Sequence, residues 1–248
     1  MDARTALDAI SAAGRRARNA GESTPKLRLA LKADVDGGLL PAILDDYADE
    51  ASSLPVTLVL GRFGEQAAAV RDGRADAAML LGPFDESGLD FEPLLTEPFL
   101  VAVAADTPLA AQKSVRLADL VGWKLPDGFP ADRGPVPGHG ALSAVPPVAT
   151  SADVNEPSAT GQDASDLPQI FKLVELGRIV CFFPTSPTRR YPRPEIAYRP
   201  VEDLAPAILA AAWPQYSRST AVAAFVQVAT KIAADTRPEP GAPQAVAT

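Results

Sequence analysis

Two periodicities alternate along the first third of the chain. Residues 27–31, Leu-Arg-Leu-Ala-Leu, alternate and then turn continuously apolar, which predicts a strand. A polar loop follows over 32–38. Leu39, Leu40, Ile43, Leu44, Tyr47, Ala48 and Ala51 then recur at helical spacing and predict a helix over 37–52. Val-Thr-Leu-Val-Leu at 56–60 reads as a second strand, 65–71 as a second helix and 76–81 as a third strand. Strand–helix–strand units of this length place their strands parallel, with right-handed crossovers. Ligands of open parallel sheets sit beyond the carboxyl ends of the strands. Lys32-Ala33-Asp34 and Gly82-Pro83-Phe84 lie at two such ends.

Further on, 89–95 alternates, with Leu89, Phe91 and Pro93 on one side, and breaks at Thr96-Glu97-Pro98. Residues 99–105 are apolar throughout, as in a strand buried on both faces. One or two helical turns are expected over 115–120 and a short strand over 122–125. Residues 126–166 are rich in Pro, Gly, Ser and Ala, with room for one short strand at 146–149. A helix over 166–176 takes its cap from Ser165 or Asp166, buries Ile170, Leu173 and Val174, and stops at Gly177. Strands over 178–184, 195–200 and 207–213 follow. A closing helix over 217–234 turns Ala221, Val222, Phe225, Val228, Ala229 and Ile232 to the core. At the front, residues 1–19 form a weakly amphipathic helix and 19–25 a linker; a Pro/Ala tail ends the chain. A chain that leaves one lobe, builds another and returns gives two lobes joined by crossing strands, with the ligand cleft between them.

Composition removes several function classes. One cysteine excludes a disulfide framework and a multi-cysteine zinc site, and one histidine excludes a His-rich metal site. No apolar run approaches the about 20 residues of a membrane span. Arg15-Arg16 has no apolar segment behind it, so export is not expected and a cytoplasmic location is. The net charge of −8 argues against a direct grip on DNA. Residues 1–28 carry six basic against three acidic side chains, a pattern read as a solvated helix face.

Several runs, in order, resemble one family. Leu27-Arg-Leu-Ala-Leu31 with Gly38-Leu-Leu-Pro41 is similar to the opening of the effector-binding domain of LysR-type transcriptional regulators. So are Val70-Arg-Asp-Gly-Arg-Ala-Asp-Ala-Ala78 and the crossing strand Leu94-Leu-Thr-Glu-Pro-Phe-Leu-Val-Ala-Val103, here followed by Asp106-Thr-Pro-Leu109. Val115 to Leu120, and Leu173 through Gly177 to Phe183-Pro184, fit the same order. The resemblance covers about 26–234. It implies an α/β, two-lobed, type 2 periplasmic-binding-protein-like fold with crossing strands between the lobes. Lobe I would be 26–101 plus 200–235 and lobe II 102–199, with 1–19 the end of a linker helix and 236–248 a disordered tail. It further implies a small-molecule effector, no catalysis and no cofactor. Homodimerisation would run through helices such as 37–52 and 63–72, and DNA would be met only through a helix-turn-helix absent from this chain.

The expected ligand contacts are Lys32, Ala33 and Asp34, then Gly82, Pro83 and Phe84. Across the cleft they are Asp127, Gly128 and Phe129, with Thr185 and Ser186. Where the family usually offers small hydroxyl residues after the first strand, this chain has a lysine and an aspartate. Lys32 suits an anion and Asp34 an amine, unless the two are only a surface pair of little energetic worth. Gly82 permits close approach, Phe84 supplies an apolar wall, and Thr185 and Ser186 can donate to a carboxylate or carbonyl. The helix beginning at 166–168 favours anions at its N-terminus. Cys181, between Ile179-Val180 and Phe182-Phe183, is expected to be buried and inert. His139, between glycines, reads as a solvated loop residue. A solute-binding protein of the same fold is the alternative. An enzyme on this scaffold finds no nucleophile elbow, metal spacing or phosphate loop to support it.

Overall fold

The computed structural model describes residues 14–15, 21, 23–62, 64–135, 167–190 and 192–236. The helix expected over 1–19, apart from Gly14 and Arg15, lies outside them. So do His139, the strand at 146–149, the cap at 165–166 and the tail after Thr236.

Among the described residues eight strands build two sheets. They are β1 Leu27–Leu31, β2 Val56–Leu60, β3 Ala77–Leu81, β4 Leu89–Glu97, β5 Phe99–Ala104, β6 Cys181–Pro184, β7 Ile196–Pro200 and β8 Ala207–Pro214. Five helices accompany them: α1 Leu40–Ala48, α2 Glu65–Arg71, α3 Leu167–Glu175, α4 Thr185–Arg190 and α5 Thr220–Thr236. The first sheet runs β2-β1-β3-β8-β4, with β1 parallel to both neighbours and β8 antiparallel to β3 and β4. The second is antiparallel, in the order β6-β5-β7.

The five-stranded sheet is covered on both faces, as its apolar runs require. Leu27, Leu29, Leu31, Met79 and Leu81 join one apolar cluster with Ile43 and Tyr47 of α1 and Phe225 of α5. Ala30, Ala78, Leu80 and Ala212 join a second cluster with Ala67, Ala69 and Val70 of α2. Large side chains thus point one way and mostly small ones the other, and the alanines let α2 lie close to the sheet. Tyr47 and Phe225 meet edge-on at 5.8 Å, and the Tyr47 hydroxyl accepts from the backbone N–H of Leu54 at 3.1 Å. Each fully buried large side chain contributes about 1.5–3 kcal/mol of transfer free energy.

Several elements depart from expectation. The first helix begins at Leu40 because Gly37 and Gly38 adopt left-handed φ values of 62° and 80°, which no helix accepts. β4 continues through Thr96 to Glu97, and only Pro98 interrupts the pairing. Its register slips between Pro93 and Leu95, so Leu94 is buried and Pro93 exposed, against the expected alternation. A proline without an N–H is tolerated on this edge strand at such a bulge. The strand expected over 122–125 is a single bridge, Lys124 with Pro130. The run expected over 178–184 pairs only from Cys181, and α4 follows it directly. The 99–104 segment lies wholly in the three-stranded sheet, so the chain passes from one sheet to the other at Pro98.

Candidate functional site

Three places where the sheets approach each other hold the residues singled out from sequence. The first is the β1–α1 loop. The Val35 N–H bonds the Lys32 carbonyl at 3.2 Å, and Asp34 sits at a left-handed φ of 64°, a conformation aspartate tolerates better than most residues. The Asp36 carboxylate accepts from the Gly38 N–H at 3.2 Å. Arg190, at the end of α4, reaches across from the smaller sheet's side to Asp36 at 3.1 Å and Asp34 at 3.6 Å. Asp34, expected to capture an amine, therefore already holds a cation of the chain itself. Asp36 is nearly buried, whereas Arg190 is 40% exposed and partly screened by solvent. Ala33 is exposed, and Lys32 makes no ion pair among the described residues.

The second place is the end of β3. The Gly82 N–H donates to the Ile208 carbonyl at 2.8 Å, and Gly82–Pro83 is a cis peptide. Phe84 meets Phe91 edge-on at 5.4 Å. Gly82, Pro83, Phe84 and Phe91, with Phe99, Pro135, the return segment Leu204-Ala205-Pro206 and Ile208, line a cavity of about 490 Å³, in which Glu86 is the one ionisable lining side chain among the described residues. A mainly apolar cleft of this volume suits a small organic molecule.

The third place is the crossing itself. Thr185 donates to the Pro98 carbonyl at 3.2 Å, and the Ser186 hydroxyl to the Glu97 carboxylate at 2.8 Å. Burial raises the Glu97 pKa above the ordinary glutamate value, while the Ser186 hydrogen bonds and the Arg189 charge pull the other way. Both hydroxyls are thus committed to the crossing strand. Asp127 and Gly128 stand apart from the cavity lining. They form a tight turn in which Asp127 accepts from the Phe129 N–H at 3.0 Å and Gly128 takes a φ of 83°. Cys181 is fully buried, and that burial, with the Asp127 charge added, pushes its thiol well up.

Sequence reasoning missed Arg190, Asp36, Glu97 and the return segment. Asp34-x-Asp36 at a strand end was a readable pair of carboxylates, and Glu97 stands alone between two apolar strands. Arg190 had no local signal, because only the tertiary fold brings it to the loop. Among the described residues no group of His, Cys, Asp and Glu could hold a metal, and no helix is long and apolar enough to cross a membrane.

The architecture and the sequence agree on one family. Residues 20–234 match the family model described as the LysR substrate binding domain. Over 113 residues the chain is 33% identical to a probable hydrogen peroxide-inducible genes activator of Mycobacterium xenopi, a match covering 44% of this chain and 57% of that protein. The aligned part is under two thirds of that relative's length. Over 229 residues it is 23% identical to the Hca operon transcriptional activator HcaR of Escherichia coli (strain K12), covering 92% of this chain and 75% of that protein. The effector binding domain of QuiR in complex with shikimate superposes with a TM-score of 0.60 at 15% identity, over 86% of this chain and 99% of that one. That likeness speaks for the two-lobed, periplasmic-binding-protein-like fold. The chain belongs to the family of the LysR substrate binding domain.

Proposed function

We propose that this domain binds a small organic effector between its two sheets and answers with a change in lobe closure. The observation that carries the reading is the 490 Å³ cavity at the carboxyl end of β3, walled by both the outgoing and the returning crossing segments. A molecule there touches both connections between the sheets, so it binds the open and closed arrangements unequally. Lys32, Ala33, Asp34, Thr185 and Ser186, with Asp127 and Gly128 on the far side, are the surroundings an effector meets as the lobes close. The bodies that move are lobe I, 26–101 with 200–235, and lobe II, 102–199. The domain works in the cytoplasm, without catalysis.

Dimerisation is part of the same reading. The β2 edge of the larger sheet has no partner strand among the described residues, and it exposes Leu58 by 42% and Leu60 by 62% beside α1 and α2. Two copies meeting there bury apolar surface, and sedimentation is expected to give a dimer mass that Leu60→Glu lowers to a monomer.

A thermal-shift screen of small acids, amines and aromatic metabolites, shikimate among them, tests the effector site. A binder at about a hundred times its Kd adds about 2.7 kcal/mol of stability. That gain is expected to vanish when Ala205→Trp fills the cavity. A binder that stabilises the filled variant equally would place the site elsewhere.

A further inference from the structure

A second cavity, of about 400 Å³, opens at the other end of the five-stranded sheet, where β1 and β3 begin and α5 starts. Its floor is apolar: Leu27 and Val222 are buried and Leu54 is half-buried. Among the described residues its charged lining is Lys26, Arg28 and Arg218 against one acid, Asp76. That acid is already engaged. Its carboxylate accepts from the Arg28 backbone N–H at 2.8 Å and lies 3.7 Å from the Arg28 guanidinium. Lys26 and Arg218 are exposed and make no ion pair among the described residues. The chain as a whole carries −8, so a cavity lined by three cations and one anion is a local departure from its surface. The Ser217 and Ser219 oxygens accept from nearby backbone N–H groups, which leaves each hydroxyl proton free to be donated. Tyr216 also lines the cavity, yet is 79% exposed, an unusual setting for a large aromatic side chain.

We propose that this cavity is a second ligand site, for a small organic carboxylate with a compact apolar body. The body rests on Leu27, Leu54 and Val222 beneath the Tyr216 ring. The carboxylate lies between Lys26 and Arg218, which provide charge-assisted hydrogen bonds. An organic cation is repelled there, and a neutral analogue forfeits the charged contacts. Pro25 lines the same cavity, so occupancy is felt where the chain enters β1. The site shares no lining residue with the cleft between the sheets, and its ligand need not be the cleft's effector.

The test is a calorimetric and ¹H–¹⁵N NMR titration of the full chain at low salt with phenylacetate, phenylacetamide and phenethylammonium. Phenylacetate is expected to saturate and to move the Leu27 and Ser219 amides. The amide and the ammonium bind at least roughly tenfold more weakly. The double variant Lys26→Ala/Arg218→Ala, which changes only exposed side chains, loses at least roughly tenfold in phenylacetate affinity. Phe84→Ala in the cleft leaves that affinity unchanged. Equal binding of the acid and its amide, indifference to the double variant, loss in Phe84→Ala, or no saturation below about 50 mM would each overturn the proposal.

Discussion

The interior of the five-stranded sheet and the seam where it meets the smaller sheet are held by different forces. Inside, Leu29, Met79, Tyr47 and Phe225 pack without solvent, and the polar atom among them, the Tyr47 hydroxyl, has its partner. At the mouth of the seam the contacts are polar and partly wet: Arg190 with Asp34 and Asp36, Ser186 with Glu97, and Thr185 with a backbone carbonyl. Apolar packing loses contact steeply with displacement, whereas a half-exposed ion pair can open and be replaced by water at small cost. The sheets are therefore stiff bodies, and the seam is where the molecule adjusts.

The strongest challenge to that contrast is to empty the interior. Leu29→Ala is expected to cost about 2–5 kcal/mol in chemical denaturation, with Phe225→Ala at about 3–5 kcal/mol. A loss under about 1 kcal/mol would mean that the interior yields as the seam does. Next, Arg190→Ala should change stability by no more than about 1 kcal/mol, yet enlarge the radius of gyration seen by small-angle scattering. Raising salt should move the wild type the same way, because the Arg190–Asp34 contact is largely exposed. No change in dimensions would show that apolar contacts alone fix the seam.

Glu97 sharpens the contrast through pH. Its pKa lies above the ordinary glutamate value of 4.5, so protonation favours the folded state. The stability contributed by protonating this group is complete below pH 4.5 and is lost as pH rises through the raised folded value. Glu97→Gln should remove that slope and leave a small gain at neutral pH, read from denaturation curves across the window. The smallest effect concerns Cys181. At neutral pH its thiol should react with an aromatic disulfide reagent only as fast as the chain opens, since it is buried and its thiolate disfavoured.

The parallel unit was legible because residues 27–81 carry unbroken periodicities, and β2 and α2 fall where the pattern puts them. The β4 bulge was hidden, since Pro93 keeps the apolar alternation while breaking the pairing that gives alternation its meaning. α4 escaped notice because Thr-Ser-Pro-Thr-Arg-Arg has neither an apolar stripe nor a helix-favouring composition. Within the candidate site, the end of β3 could be read from position alone. The partners of Asp34 and Ser186 could not, because they lie more than eighty residues away in sequence and only the fold makes them neighbours.

The two rims of the larger sheet are not equivalent. Along β4, Pro93 withholds a donor and the slipped register bends the ladder, so that rim cannot template another strand. Along β2 the ladder is regular and apolar side chains stand outward. Association along the sheet therefore has one competent terminus per molecule. Two copies joined there consume both termini, and growth stops at a closed pair instead of running on into a fibre.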